Sequence, residues 1–349
     1  MTQAAPRSPA RTEELSLALK HALDKHFGKE RWISGLDRRP SAYRSSFLLE
    51  EPDVLLEDGA RLAIMFKDLS PQALLPEARE AKPAFLHDPQ REIDTYRGIL
   101  AEQRLGTAAC YGAVVDRQAE RYWLFLERVN GRALWQVGEI GVWQEAARWL
   151  AVLHHRFAGK RELAGTRLLH HDRDYYRVWL QRALEFAACV SRSQDDFPNV
   201  KRKQYRHGLE RLAERYDTVL ERLAALPTTF IHGEFYPSNI LIEEAVSGLR
   251  VCPVDWEMAA VGPGLMDLAA LTAGTWTQEE EEAIALAYHE ALPGMGGWSG
   301  PEDFLAALDL CHLHMAIQWL GWSPRWTPPP EHAHGWLDEA LRLTEKLGL

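Results

Sequence analysis

The sequence predicts an α+β fold in two lobes, β-rich at first and helical afterwards, with one hairpin embedded in the helical part. Three observations carry this expectation. Short strand-like runs with turn signals crowd the text before Val129. A 3.6-residue apolar period dominates from Val142 onward, and 349 residues exceed one ordinary domain. The lobe boundary is placed near Val129–Leu134, which gives a tail and helix over 1–35, a small lobe over 36–129 and a helical lobe over 130–349.

Each element has its own signal. Residues 1–11 read as a disordered tail, and a helix follows over Glu13–Phe27 with Leu15, Leu19, Ala22 and Leu23 on one face. Strand text over Phe47–Leu56 and Arg61–Lys67 flanks Glu57-Asp58-Gly59, a hairpin turn in which Asp-Gly supplies the positive φ angles. Arg91–Leu100 is helical through Ile93, Tyr96, Ile99 and Leu100, and strands follow at Ala109–Asp116 and Arg121–Val129. In the second half Ala146, Leu150 and Leu153 form a buried stripe, and Tyr175–Cys189 and Gln204–Leu226 are long amphipathic helices. The basic residues around Lys201–Arg215 alternate with Glu210, Glu214 and Glu221, so they form a solvated face rather than a phosphate patch. The embedded hairpin runs from Ile240–Ile242 through a turn near Glu243–Gly248 to Leu249–Val254. Pro328-Pro329-Pro330 precedes a last helix near Trp336–Leu347.

Composition excludes several classes. With 46% hydrophobic and 26% charged residues the chain is globular, and a net charge of −10 argues against a nucleic-acid partner, which needs clustered cations. The four cysteines, Cys110, Cys189, Cys252 and Cys311, form no C-x-x-C pair, so neither a disulfide framework nor a structural zinc site is expected. No secretory signal or membrane-spanning run is expected either, which points to a cytoplasmic protein with no membrane partner.

The chemistry concentrates between Phe230 and Leu271. His232-Gly233-Glu234 is followed by Asn239, then the hairpin, then Asp255 in V-D-W-E, then G-P-G-L-M-D-L-A with Asp267. Phosphoryl transfer needs a carboxylate near the attacking hydroxyl and hard oxygen ligands for Mg²⁺. Glu234 suits the first role, and Asn239 and Asp255 suit the second.

In these three linked segments the chain resembles the aminoglycoside phosphotransferase and choline kinase group, relatives of the protein kinases. The resemblance implies a protein-kinase-like two-lobed fold and a small-molecule kinase using Mg²⁺ with ATP or GTP. It implies that Asp255 is the principal metal ligand and Asn239 a second one, and that Glu234 orients or deprotonates the acceptor hydroxyl. His232 would hold the loop, and Asp267 would buttress it. The family normally has aspartate where this chain has Glu234. The extra methylene moves the carboxylate by about 1 Å, enough to cost roughly a hundredfold unless the backbone compensates.

The resemblance extends upstream to Asp37. There Lys67, ending the apolar strand Ala63–Lys67, would contact the nucleotide phosphates, with Glu92 as its acidic partner and Glu80 and Asp94 as alternatives. Glu127 and Val129 would meet the base through backbone groups. In place of a glycine-rich loop, Ser41–Ser46 would cover the phosphates, with Ser45 and Ser46 as the ligands.

Rival readings are weaker. His232-x-Glu234 matches half of a zinc deaminase signature, but no P-C-x-x-C follows. His312/His314 and His332/His334 are spaced by two, which does not share a helix face, and read as ordinary histidines. Of 13 tryptophans, five follow residue 290 (Trp298, Trp319, Trp322, Trp326 and Trp336). They are either core residues or the wall of an acceptor pocket for a sugar, an aminocyclitol or an amine. Glu279–Glu282 reads as an acidic helix start. A protein substrate is disfavoured because no activation segment fits after Asp255. A catalytically weak nucleotide-binding protein of pseudokinase type is the alternative, supported by Glu234 and the missing glycine loop.

Overall fold

The computed structural model describes residues 10–43, 46–160, 163, 165–190, 199–245, 248–293, 298–322 and 334–349. The strands are β1 (Ile33–Asp37), β2 (Leu48–Glu50), β3 (Asp53–Leu56), β4 (Arg61–Asp68), β5 (Cys110–Asp116), β6 (Arg121–Glu127), β7 (Arg132–Ala133), β8 (Leu169–His170), β9 (Thr228–Ile231), β10 (Ile240–Ala245), β11 (Gly248–Pro253) and β12 (Ala260–Pro263). The helices are α1 (Thr12–Phe27), α2 (Pro76–Ala81), α3 (Arg91–Asp94), α4 (Ile140–Phe157), α5 (Arg173–Val190), α6 (Asn199–Ala224), α7 (Leu265–Thr272), α8 (Gln278–Ala291), α9 (Pro301–Trp322) and α10 (Trp336–Lys346). They divide into two units, 1–131 with 241–257, and 132–240 with 258–349.

The first unit is built on an antiparallel sheet of order β1-β3-β4-β6-β5, with β2 also paired to β4. The expected strand Phe47–Leu56 is two strands, because Pro52 between them has no N–H to continue a ladder. Helix α1 lays Leu15, Leu19, Ala22 and Leu23 against Val54, Ile64, Phe66 and Phe125. The Phe66 and Phe125 rings stack at 5.5 Å, and Trp123 meets Phe66 edge-on at 5.8 Å. Ile64 and Phe66 thus face α1, so Lys67, one residue further along β4, turns to the opposite face. The helix expected over Arg91–Leu100 is α3 followed by a π-helical turn, Thr95–Leu100.

In the second unit β12 pairs parallel to β8 and antiparallel to β9, and helices surround this small sheet. None of the three strands is legible as alternating text, since they span two to four residues. Helix α9 is apolar nearly all round and is buried accordingly, with α5, α7 and α10 packed on it. Helix α8 opens with a capping box: Thr277 Oγ1 accepts from Glu280 N–H at 3.2 Å, and Glu280 Oε2 accepts from Thr277 N–H at 3.0 Å. The acidic run at 279–282 is therefore a helix start. On α6, Arg206 pairs with Glu210 at 2.8 Å on an exposed face. Among the described residues no helix is long and apolar enough to cross a membrane.

Candidate active site

The first unit gathers three of the residues singled out in the sequence. Lys67 Nζ lies 2.7 Å from Glu92 Oε1 and 2.7 Å from Asp255 Oδ1. Of the three acids weighed for Lys67, Glu92 is the one bonded to it. Burial pulls the Lys67 ammonium down, but the Asp255 and Glu92 carboxylates outweigh it and leave its pKa raised. Burial raises Glu92 in spite of Lys67. Glu92 also accepts from Trp256 N–H at 3.2 Å, which ties α3 to the residue after Asp255.

Asp255 is a non-glycine residue at φ +66°, a conformation that costs of order 1 kcal/mol and persists only where the surroundings impose it. It follows β11, and the turn sends its carboxylate back to Lys67 rather than along the strand. The side chain is 20% exposed, so a cation can reach it.

At the other end of the sheet, Glu127 is clamped. Arg250 grips its carboxylate with two bonds, Nη1 to Oε1 at 2.7 Å and Nη2 to Oε2 at 2.8 Å, and Arg250 Nε donates to Gly106 O at 2.8 Å. The arginine holds the Glu127 carboxyl below its usual range. Val129 is buried, and at Gly131 a Cβ would come within 2.9 Å of Ile242 O, so only glycine lets the chain pass β10 there. Ser46 O accepts from Leu75 N–H at 2.9 Å, while Ser45 lies outside the described residues.

The second unit builds the His232–Asn239 loop. Asp267, at the start of α7, is buried and accepts from His232 N–H at 2.6 Å and from Gly233 N–H at 2.8 Å. His154 on α4 stands behind it, with Nε2 3.3 Å from Asp267 Oδ2 and Nδ1 2.9 Å from Tyr288 OH. Gly233 sits at φ +85°, and a Cβ there would overlap Met258 O, so the tight turn before Glu234 depends on glycine. Glu234 N–H faces His232 Nδ1 at 3.3 Å. Asn239 Nδ2 donates to Glu234 O at 3.1 Å, which leaves Oδ1, a hard oxygen, as the face offered to a cation.

The same loop walls a cavity of about 260 Å³. Tyr236 and Ser238 contribute from the loop, and Trp135, Trp143, Trp276, Trp319 and Trp336 from elsewhere in the unit. Trp319 and Trp336 stack at 5.2 Å, whereas Trp298 and Trp322 pack against Phe304 and Trp179. The C-terminal tryptophans thus divide between wall and core, and Trp326 lies outside the described residues. His312 and His314 are buried packing residues, bonded at 2.8 Å to Thr272 Oγ1 and at 2.8 Å to Tyr216 OH.

His154 and Arg250 were not singled out in the sequence. For His154 a signal exists: it lies four residues after Leu150 on the buried stripe of α4.

A β-rich unit that buries a lysine–glutamate pair, joined to a helical unit whose loop carries a carboxylate and an amide, defines a protein-kinase-like fold of the phosphotransferase class. The chain belongs to the phosphotransferase enzyme family, whose model matches residues 78–302. The fold is similar to that of a choline kinase from Cryptosporidium parvum, at 13% identity and a TM-score of 0.62, covering 97% of this chain and 96% of that one. A microcompartment-associated aminopropanol kinase is similar at 16% identity and a TM-score of 0.57, covering 88% and 90%. The GDP complex of an aminoglycoside 2'-phosphotransferase is similar at 14% identity and a TM-score of 0.53, covering 95% and 97%. No curated protein matches the sequence.

Proposed function

We propose that the protein transfers the γ-phosphoryl group of ATP or GTP to a hydroxyl of a small molecule. The observation that carries this reading is Lys67 bound between Glu92 and Asp255, the arrangement in which a lysine holds nucleotide phosphates while an aspartate receives the metal. Asp255 offers the principal hard oxygen ligand, and the family resemblance assigns Asn239 as a further one. Mg²⁺ held there would neutralise charge on the phosphates.

The chain's own groups supply the rest. Lys67 holds the α/β phosphates, and Glu127 and Val129 present backbone to the base. Ser45 and Ser46 would cover the phosphates. Glu234 orients the acceptor hydroxyl and takes its proton as the oxygen bonds to the γ-phosphorus. The bond to the β–γ bridging oxygen breaks, and the nucleoside diphosphate leaves. His232 and Asp267 keep Glu234 in place.

The cavity supports a small acceptor. About 260 Å³ of space with aromatic walls suits an amino alcohol or a single sugar ring better than a multi-ring aminoglycoside. Choline and aminopropanol kinases among the similar structures are in keeping with this. The same reading places the protein in the cytoplasm, where nucleoside triphosphates are made.

The second reading, a nucleotide-binding protein with little transfer, is favoured by Glu234 standing where the family has aspartate. Calorimetric titration of ATP and GTP, with and without Mg²⁺, tests the first step. Wild type should bind in a Mg²⁺-dependent manner, and Asp255→Ala should lose that dependence and abolish transfer. Wild-type turnover in Asp255→Ala would sink the metal assignment. Binding without transfer to any screened amino alcohol or sugar, persisting in Glu234→Asp, would favour the second reading.

A further inference from the structure

Beside the Lys67 site the first unit buries a second set of charges that phosphate binding does not use. Lys82, in the segment after α2, forms a buried ion pair with the Glu257 carboxylate. Arg91, at the start of α3 and also buried, donates from Nη1 to the main-chain carbonyl of Glu257 at 2.9 Å and to Leu86 O at 3.0 Å. With Glu92 accepting from Trp256 N–H, the two residues after Asp255 are fastened at three points, all from the stretch between Lys82 and Glu92.

We propose that Lys82 and Arg91 are positioning residues for the metal-binding segment, gripping Glu257 by its carboxylate and its carbonyl so that Asp255 stays at the Lys67 site. This rests on the phosphotransferase reading. The physical need is visible at Asp255 itself: a non-glycine residue at φ +66° relaxes unless its neighbours are over-determined. Lys67 pairs with Glu92 and Asp255, Lys82 pairs with Glu257, and Arg91 holds the Glu257 carbonyl, so the segment around Asp255 is gripped on both sides. Glu257, two residues from the proposed metal ligand, is thereby neutralised by Lys82 and acts through the backbone rather than as a ligand.

The experiment compares Mg·ATP and metal-free ATP binding by calorimetry, together with the melting temperature, in the full chain. The variants are Lys82→Met, Glu257→Gln and the double variant Lys82→Met with Glu257→Leu. Each single change should lower the melting temperature and weaken Mg·ATP binding by roughly tenfold or more, as loss of a group that orients a metal ligand does. Metal-free ATP binding should stay within about twofold, because Lys67 is untouched. The double variant should regain most of the melting temperature, since an apolar pair replaces a buried ion pair at little cost. It should nonetheless keep the weakened Mg·ATP affinity. Recovery of affinity along with melting temperature, or a parallel loss of metal-free binding, would overturn the positioning role and leave a merely structural pair. Absence of Mg²⁺-dependent binding in the wild type would instead overturn the underlying phosphotransferase reading and this proposal with it.

Discussion

In the first unit Lys67 pairs with Glu92 and Asp255 and Lys82 with Glu257, while Arg91 donates to the main-chain carbonyls of Glu257 and Leu86. In the second, the His232–Asn239 loop hangs on backbone N–H groups of His232 and Gly233 donated to Asp267, backed by His154 and Tyr288. The first arrangement pays for desolvating several ions and works only when every charge has its partner. The second spends one carboxylate on two main-chain donors that would otherwise be buried and unsatisfied. A site that receives a polyphosphate and a metal gains from fixed charge, whereas a loop that must place one carboxylate against a hydroxyl gains from fixed backbone. The proposed functions of the two units thus account for the difference in how each is braced.

Breaking the backbone brace at Asp267 should have the largest effect. Asp267→Asn keeps the size of the side chain but turns an N–H donor toward a backbone N–H. Turnover should fall by roughly a hundredfold through misplacement of Glu234, while metal-free ATP affinity measured by calorimetry stays within about twofold of wild type. Equal losses in both would show that the two halves are not braced separately.

Acid should sharpen the contrast next. Burial in the second unit depresses His171 to about 4, and neither of its ring nitrogens has a hydrogen-bond partner. The unfolded chain takes up that proton near pH 6.5, the fold only near pH 4, so stability present at pH 7 is lost as pH falls between those values. From the depression to about 4, roughly 2 kcal/mol should go between pH 7 and pH 5. Urea unfolding of His171→Phe at the two pH values should show that much less difference than wild type.

The smallest effect belongs to an exposed cap remote from any bracing. Thr277→Ala removes the α8 capping box and should cost about 1 kcal/mol in unfolding, with ATP binding and turnover unchanged.

Much of this was legible in the sequence wherever the signal was local. His232, Glu234, Asn239 and Asp255 stand out because a loop and a hairpin fix their spacing within one stretch of chain. Lys67 could be proposed because it ends an apolar strand, and α1 because its apolar face repeats every three or four residues. The Lys82–Glu257 pair was not legible, since buried charges from distant segments carry no periodicity. Nor was the cavity, whose tryptophans come from positions as far apart as Trp135 and Trp336 and meet only through packing of the helical unit. The strands β8, β9 and β12 were missed because two to four residues are too few to show alternation.

The first unit is discontinuous, with residues 241–257 returning to it after the chain has passed through 132–240. During synthesis the sheet and α1 leave the ribosome early, yet Lys67 waits for Asp255, Glu92 for Trp256 and Lys82 for Glu257 until residue 257 has been made. A nascent chain halted inside the second unit therefore holds Lys82 without its Glu257 partner in an unfinished interior, and is a target for chaperones rather than a half-working nucleotide binder.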